Sequence, residues 1–493
     1  MCLLQIRGVL TRIALWIIIG MSACWPYISV QAAEESPITE EVLNRAADYV
    51  REQLQKSDVV GGAMGIVYRD QLIFSEGFGT ADRGLRNTPA ADTLYYTASI
   101  TKTLTATAIY QLHAAGKLDI DQPVHTYLPW FQFQDREASE QITLRHLLTH
   151  SAGGVGSFDT DGLLFQDEAA RSSLEKYVRL FQSIAIREQP GTSGAYCNGC
   201  YDVLGLVIEY VTGVSYYDYV RENIFEPLGM EDTVFGHELE RYPESRLAKE
   251  YGWFFTRKMH IRRSYEEFGQ AQDPDGGAYS TVEDLGKYLA YQLGYLGSDW
   301  LPAELIKDSR TAYVATESGD AAYTASGFET KLLHGTQIFY KTGDGVGSSS
   351  IILFMPAHEL GIILFIGEMH PEITLPIAEG IASILLGHVP AEVGMHVTFG
   401  MVIGIISLVL VSASTFLIAM LLIRLVYRLL YAKNLLSTIC GLVSSAIASG
   451  LFWYLALLVR PSAAGSYGYP YDAAIGLGMV SVKCLWAVKR NNW

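Results

Sequence analysis

The sequence predicts an α+β domain followed by a membrane-embedded helical region, and three observations carry that prediction. Segments 65–68 and 72–74 read as two strands around the turn Arg69-Asp70-Gln71, and segments 339–343, 350–354 and 360–365 read as three more near the far end of the domain. Helical patterns fill the sequence between them. Beyond the domain, 397–423 and 435–459 are uncharged and apolar, and each is long enough to span a bilayer.

Composition agrees with a membrane segment. Of 493 residues, 49% are hydrophobic and only 18% charged, which is apolar for a soluble chain. The net charge of -16 argues against nucleic acid as a partner. Six cysteines in this length do not make a disulfide scaffold.

Taken in order, residues 1–33 read as a signal peptide or N-terminal anchor. Arg7 and Arg12 precede an apolar run at 13–23, and Val30-Gln31-Ala32 offers small residues for cleavage. Met21-Ser22-Ala23-Cys24 also resembles an acylation site. Residues 34–395 are then an exported domain. Leu43, Ala46, Ala47, Val50 and Leu54 share one helical face. Residues 142–150 form a short helix ended by Ser151-Ala152-Gly153-Gly154. Its His146 and His150 stand four apart, but no third ligand is in view, and packing or capping suits them better than a metal. A loop of turn formers, 190–198, leads into an apolar helix at 203–208. The turn 274–281 precedes a helix that Ser280 or Thr281 caps.

Ser99-Ile100-Thr101-Lys102 opens a helical stretch running through Leu112. Positions three apart on a helix share a face, so the Ser99 hydroxyl and the Lys102 amine can meet. A serine is a weak nucleophile until a neighbouring base activates it, and a lysine with a lowered pKa is such a base. Alone, this four-residue spacing is common. Two further motifs give it context: Tyr196-Cys197-Asn198 and Lys341-Thr342-Gly343.

In that order the three motifs resemble the active-site set of penicillin-recognising serine hydrolases. More narrowly they are similar to the branch of class C β-lactamases and D-amino-acid-specific peptidases (peptidase family S12). The resemblance extends through 142–154, 190–213 and 274–285, and so covers most of residues 40–370. It implies an antiparallel sheet flanked by helices, a helical lobe, and a site between the two. It implies Ser99 as nucleophile, with Lys102 and Tyr196 sharing acid–base work. Asn198 would hold the substrate amide, and Lys341 and Thr342 a carboxylate or carbonyl. Gly343 would let the strand approach the ligand, and the backbone N–H groups of Ser99 and Asp344 would form the oxyanion hole. Asp344 departs from a purely anion-binding edge: it either pairs with Lys341 and weakens its grip on an anion, or faces solvent. Cys197 and Cys200 are either a local disulfide or two free thiols. Neither a metal nor a cofactor is called for.

At the C-terminus, Arg424, Arg428 and Lys433 between the two apolar runs place that loop in the cytoplasm. Residues 473–488 form a shorter run that carries Lys483 and makes a possible third span. The membrane domain is then 396–493, and the protein a multi-pass protein of the cytoplasmic (inner) membrane with its catalytic domain on the periplasmic or extracellular side. Some relatives with three C-terminal spans cleave an acylated D-amino acid from a secreted prodrug. The expected function is therefore a membrane-anchored serine hydrolase cutting an amide or peptide bond near a D-amino acid. The substrate is a cell-wall peptide or an acyl-D-amino-acid prodrug, beside the lipid bilayer. A β-lactamase or esterase of the same family is the enzyme alternative, and a β-lactam-binding receptor the non-enzyme one. The small cytoplasmic parts speak against the receptor.

Overall fold

A computed structural model describes residues 38–164, 168–254, 257–261, 269–297 and 299–393, with Met420, Ile423 and Val426 beyond them. The described residues from Glu40 onward belong to one unit. The leader at 1–33, the two long apolar runs apart from Met420 and Ile423, and the shorter run at 473–488 lie outside the described residues. Among the described residues no helix is long and apolar enough to cross a membrane.

The first helix, α1 (Glu40–Lys56), buries Leu43, Ala46, Ala47, Val50 and Leu54, the face its sequence marks. Glu40 and Glu41 at its start and Lys56 at its end complement the helix dipole. Strands β1 (Gly61–Tyr68) and β2 (Gln71–Gly79) form the expected hairpin, and Arg69 in its turn takes φ 60°. Helices α2 (Thr101–Ala114), α3 (Ser157–Leu164), α4 (Asn198–Thr212) and α5 (Val282–Leu293) follow. The Thr281 hydroxyl accepts the Asp284 N–H and caps α5. Six strands come next: β3 (Ala312–Ala315), β4 (Ala322–Thr324), β5 (Glu329–Leu333), β6 (Thr336–Asp344), β7 (Ser349–Met355) and β8 (Leu360–Ile366). The last helix is α6 (Pro371–Leu385).

These strands make one eight-stranded sheet, in the order β2-β1-β8-β7-β6-β5-β4-β3, antiparallel throughout. The first and last stretches of the domain therefore pair, β1 with β8, one strand in from the β2 edge. β7 and β8 are buried along their whole length, which is why they read as continuous apolar runs rather than alternating ones. Helices α1 and α6 pack on each other and α6 on β6, β7 and β8, while α5 packs on β1, β2, β7 and β8. In the helical lobe, α2 and α4 pack on each other and on the short helix Asp273–Gly276. Strands β3, β4 and β5 were not legible in the sequence: they are short, and their burial is mixed.

Candidate active site

The site forms where the start of α2 meets β6. Ser99 sits on a short turn, Ala98–Ile100, that feeds directly into α2. Ala98 takes φ 45°, a left-handed conformation that costs a non-glycine residue about 1–3 kcal/mol and is found where a backbone must aim a side chain. Strand β6 runs against this turn. A Cβ on Gly343 would collide with the Thr97 carbonyl oxygen and the Ser350 hydroxyl, and would lie 3.1 Å from the Ser99 nitrogen. The glycine thus serves an approach between strand and nucleophile turn, where the sequence suggested an approach to ligand.

Lys102 is one turn on, with its side chain wholly buried. Its Nζ lies 3.0 Å from Ser99 Oγ, 2.8 Å from the Asp275 carbonyl oxygen and 3.2 Å from Asp275 Oδ2. Tyr196 comes from the loop before α4. Its ring lies under both amines, with Lys102 Nζ 5.1 Å and Lys341 Nζ 4.4 Å from the centroid. That loop is pinned from several sides. The Ser157 backbone N–H and hydroxyl donate to the Tyr196 carbonyl at 2.8 and 3.0 Å, and the Tyr196 N–H donates to Glu317. Cys197 and Cys200 form a disulfide, and Cys197 is the N-cap of α4. Of the two alternatives for these cysteines, the bridged one is present.

Asn198 opens α4 and gives its Nδ2 to Asp161 on α3 at 2.8 Å, while its Oδ1 has no partner among the described residues. Asp161 is buried, and burial together with the nearby Asp275 pushes its carboxyl up to about 7. Lys341 is buried on β6 and pairs with Glu329 across the sheet at 3.2 Å. Burial alone would push the Lys341 ammonium down, but Tyr196 and Glu329 outweigh it, so it is raised above the ordinary lysine value. The partner of Lys341 is therefore Glu329, and the pairing with Asp344 that the sequence allowed is not the one formed. Nor does Asp344 simply face solvent. It accepts the Ser349 hydroxyl at 2.6 Å, and burial pushes its carboxyl up to about 6. Thr342 lies between these two on β6, paired in register with Ile351.

The two histidines go separate ways. His146 Nδ1 accepts the Thr143 N–H and completes a capping box on the helix Leu144–Leu148. His150 is buried among the rings of Tyr196, Tyr201 and Tyr323, and its Nδ1 accepts the Cys197 N–H at 3.1 Å. Burial, then the charges of Lys341 and Lys102, push His150 well below the ordinary histidine value and hold it neutral as that acceptor. His150, expected in a packing or capping role, and Glu317, which the sequence did not mark, are thus supports of the Tyr196 loop. Asp275 is a second unmarked group, read only as part of a turn. Among the described residues no cluster of histidine, cysteine and carboxylate side chains is arranged to hold a metal.

The site thus joins a buried amine against a serine hydroxyl, a tyrosine ring near two lysines and a strand at the Ser99 turn, on an α+β scaffold. The Beta-lactamase family profile matches residues 46–384, and the chain belongs to that family of serine hydrolases and penicillin-binding-protein homologues. PbpX of Bacillus subtilis (strain 168), a penicillin-binding protein by name, is 33% identical over 219 residues, 44% of this chain and 51% of PbpX, so the match spans about half of that relative. Protein flp of Staphylococcus aureus (strain MW2) is 23% identical over 351 residues, 71% of this chain and 68% of its own. Among solved structures, the octameric penicillin-binding protein homologue from Pyrococcus abyssi superposes with a TM-score of 0.63 at 25% identity, covering 71% of this chain and 78% of the other.

Proposed function

We propose that this protein is a serine hydrolase that cleaves an amide bond through an acyl-Ser99 intermediate. The observation that carries the reading is the 3.0 Å contact between the wholly buried Lys102 side chain, at Nζ, and Ser99 Oγ. In the proposed reaction Ser99 Oγ attacks the substrate carbonyl carbon while the Lys102 amine takes the hydroxyl proton. The oxyanion develops toward the backbone N–H groups of Ser99 and Asp344, on the two elements that Gly343 allows to approach. Lys102 passes that proton to Tyr196, which returns it to the leaving amine as the C–N bond breaks, and water then hydrolyses the ester. Asn198 holds the substrate amide, and the Lys341–Thr342 edge of β6 holds a carbonyl.

The pairing of Lys341 with Glu329 and the carboxyl of Asp344 beside it favour a neutral or amide-bearing group at this edge over a free carboxylate. This fits a peptide or acylated D-amino acid, and D-selectivity is part of the proposal. The disulfide supports a domain facing an oxidising compartment, and the apolar runs at 397–423 and 435–459 support a membrane anchor with the domain outside. The test is a panel of paired peptide amides and N-acyl amino acids differing only in the D or L configuration at the scissile residue. Preferential release from the D members supports the reading. Equal cleavage of L members removes the D-selectivity, and cleavage by Ser99→Ala at the wild-type rate removes the mechanism.

A further inference from the structure

Beneath Ser99 lie four buried carboxyls that the reaction as written does not use: Asp161, Asp202, Asp273 and Asp275, none more than 7% exposed. One of them touches the machinery. The backbone carbonyl and the carboxylate of Asp275 fill two of the three hydrogen-bonding directions around Lys102 Nζ, and Ser99 Oγ fills the third. This arrangement satisfies both forms of the amine. An ammonium donates to all three oxygens. A neutral amine gives its two N–H groups to Asp275 and has its lone pair left for the Ser99 hydroxyl.

Asp202 adds a second fact. It is fully buried on α4, which packs on the short helix that carries Asp275, and neither of its carboxyl oxygens nor Asp275 Oδ1 has a hydrogen-bond partner among the described residues. Two neighbouring buried carboxyls without other donors are not both ionised, so one of them carries a proton. Burial and the neighbouring Asp275 raise Asp202 well above the usual carboxylate range, so Asp202 is the one that carries it.

We propose that Asp275 is the positioning residue and internal proton acceptor of Lys102, with Asp202 buried behind it. The inference rests on the acyl-serine reading above. In the resting pair Lys102 is an ammonium and Asp275 a carboxylate. One proton passes from Nζ to Asp275 Oδ2, leaving a neutral amine and a neutral acid with no charge separated in the buried site. The amine then takes the Ser99 proton as the Oγ–C bond forms. When Lys102 has passed the Ser99 proton through Tyr196 to the leaving nitrogen, its amine is neutral again, the Asp275 proton returns to it and the pair is restored.

The other groups around this pair do not compete for the proton. Lys102 Nζ contacts Asp275, whereas Asp161 on α3 instead accepts the Asn198 Nδ2. His150 is held neutral and its Nδ1 is engaged by the Cys197 N–H. The phenols of Tyr96, Tyr177, Tyr201 and Tyr216 are pushed up by burial and stay uncharged. Lys341 is raised and remains an ammonium against Glu329. The ring of Tyr196 faces both lysines.

The experiment measures the rate of Ser99 labelling by a fluorescent penicillin and by a fluorophosphonate between pH 4 and 9, in the full chain, for wild type, Asp275→Asn, Asp202→Ala and Ser99→Ala. With Asp275→Asn the internal acceptor is gone, and the Lys102 proton must leave to solvent before the amine can act. Labelling at pH 6 then falls at least about tenfold, and the acid limb of the profile moves up by about one pH unit or more. Asp202→Ala removes the buried neighbour that holds the Asp275 carboxyl down, so Asp275 protonates earlier and the acid limb moves up as well, by less. A labelled wild type with an unchanged profile in Asp275→Asn overturns this role alone. A wild type that neither probe labels, or that labels equally well as Ser99→Ala, overturns the acyl-serine reading and this role with it. Should Asp275→Asn show no cooperative melt, Asp202→Ala decides, and an unmoved acid limb there overturns the role.

Discussion

Gly343→Ala is the substitution with the most calculable effect. The added Cβ meets the Thr97 carbonyl and the Ser350 hydroxyl at once and lies 3.1 Å from the Ser99 nitrogen. The carbonyl is backbone and cannot rotate away. Ser350 is fully buried and its hydroxyl already donates to Thr97 O at 2.9 Å and Gly343 O at 3.2 Å, so it has no free space to enter. Either β6 or the Ser99 turn must move. Overpacking of this kind costs about 1–3 kcal/mol, and a nucleophile displaced by about 1 Å loses roughly a hundredfold in rate. The assay pairs thermal melting with the rate of probe labelling. The account expects a lower melting temperature and labelling slowed by about 10–100-fold. Gly343→Ala with wild-type melting and wild-type labelling would refute the claim that strand and turn are in forced contact.

Asp161 gives a pH-dependent prediction. Its folded carboxyl is raised to about 7, so between about pH 4 and 7 the folded state holds a proton that the unfolded state has released. The group's contribution to stability is most favourable below the unfolded value and declines as pH rises to about 7. Asp161→Asn keeps an acceptor for Asn198 and removes that decline, so it raises the melting temperature more at pH 8 than at pH 5; an equal effect at both pH values contradicts the assignment. Glu329→Gln leaves the buried Lys341 ammonium without its anion, and breaking such a pair costs about 3–5 kcal/mol. Chemical denaturation reads this loss, and a change under about 1 kcal/mol would show the pair to be dispensable. Replacing Cys197 and Cys200 by serine removes a short cross-link worth about 2 kcal/mol by loop entropy. It also slows labelling through the Tyr196 loop, whereas full retention of rate would limit the bridge to a stabilising role.

Much of this fold is legible wherever a signal is local. The α1 face, the β1–β2 hairpin, the Thr281 cap and the apolar β7 and β8 depend on spacings of a few residues. Ser99 and Lys102 are legible for the same reason. What stayed hidden depends on partners far along the chain. Glu329 meets Lys341 only through the register of β5 on β6, where Glu329 lies opposite Tyr340. His150 supports the Tyr196 loop through a bond to Cys197, 47 residues on. Asp275 reaches Lys102 across 173 positions, from a Pro-Asp-Gly-Gly run whose composition says turn and nothing more. α4 begins at Asn198 rather than near 203, because the bridged Cys197 serves as its cap where the composition promised only loop.

The central claim is that Ser99 is made nucleophilic by the amine 3.0 Å away. Intact-mass and peptide mapping of the protein after exposure to a fluorescent penicillin addresses it most directly. The account predicts one adduct, on the peptide containing Ser99, absent in Ser99→Ala and strongly slowed in Lys102→Ala. An adduct on any other residue, or labelling that survives both substitutions, contradicts it.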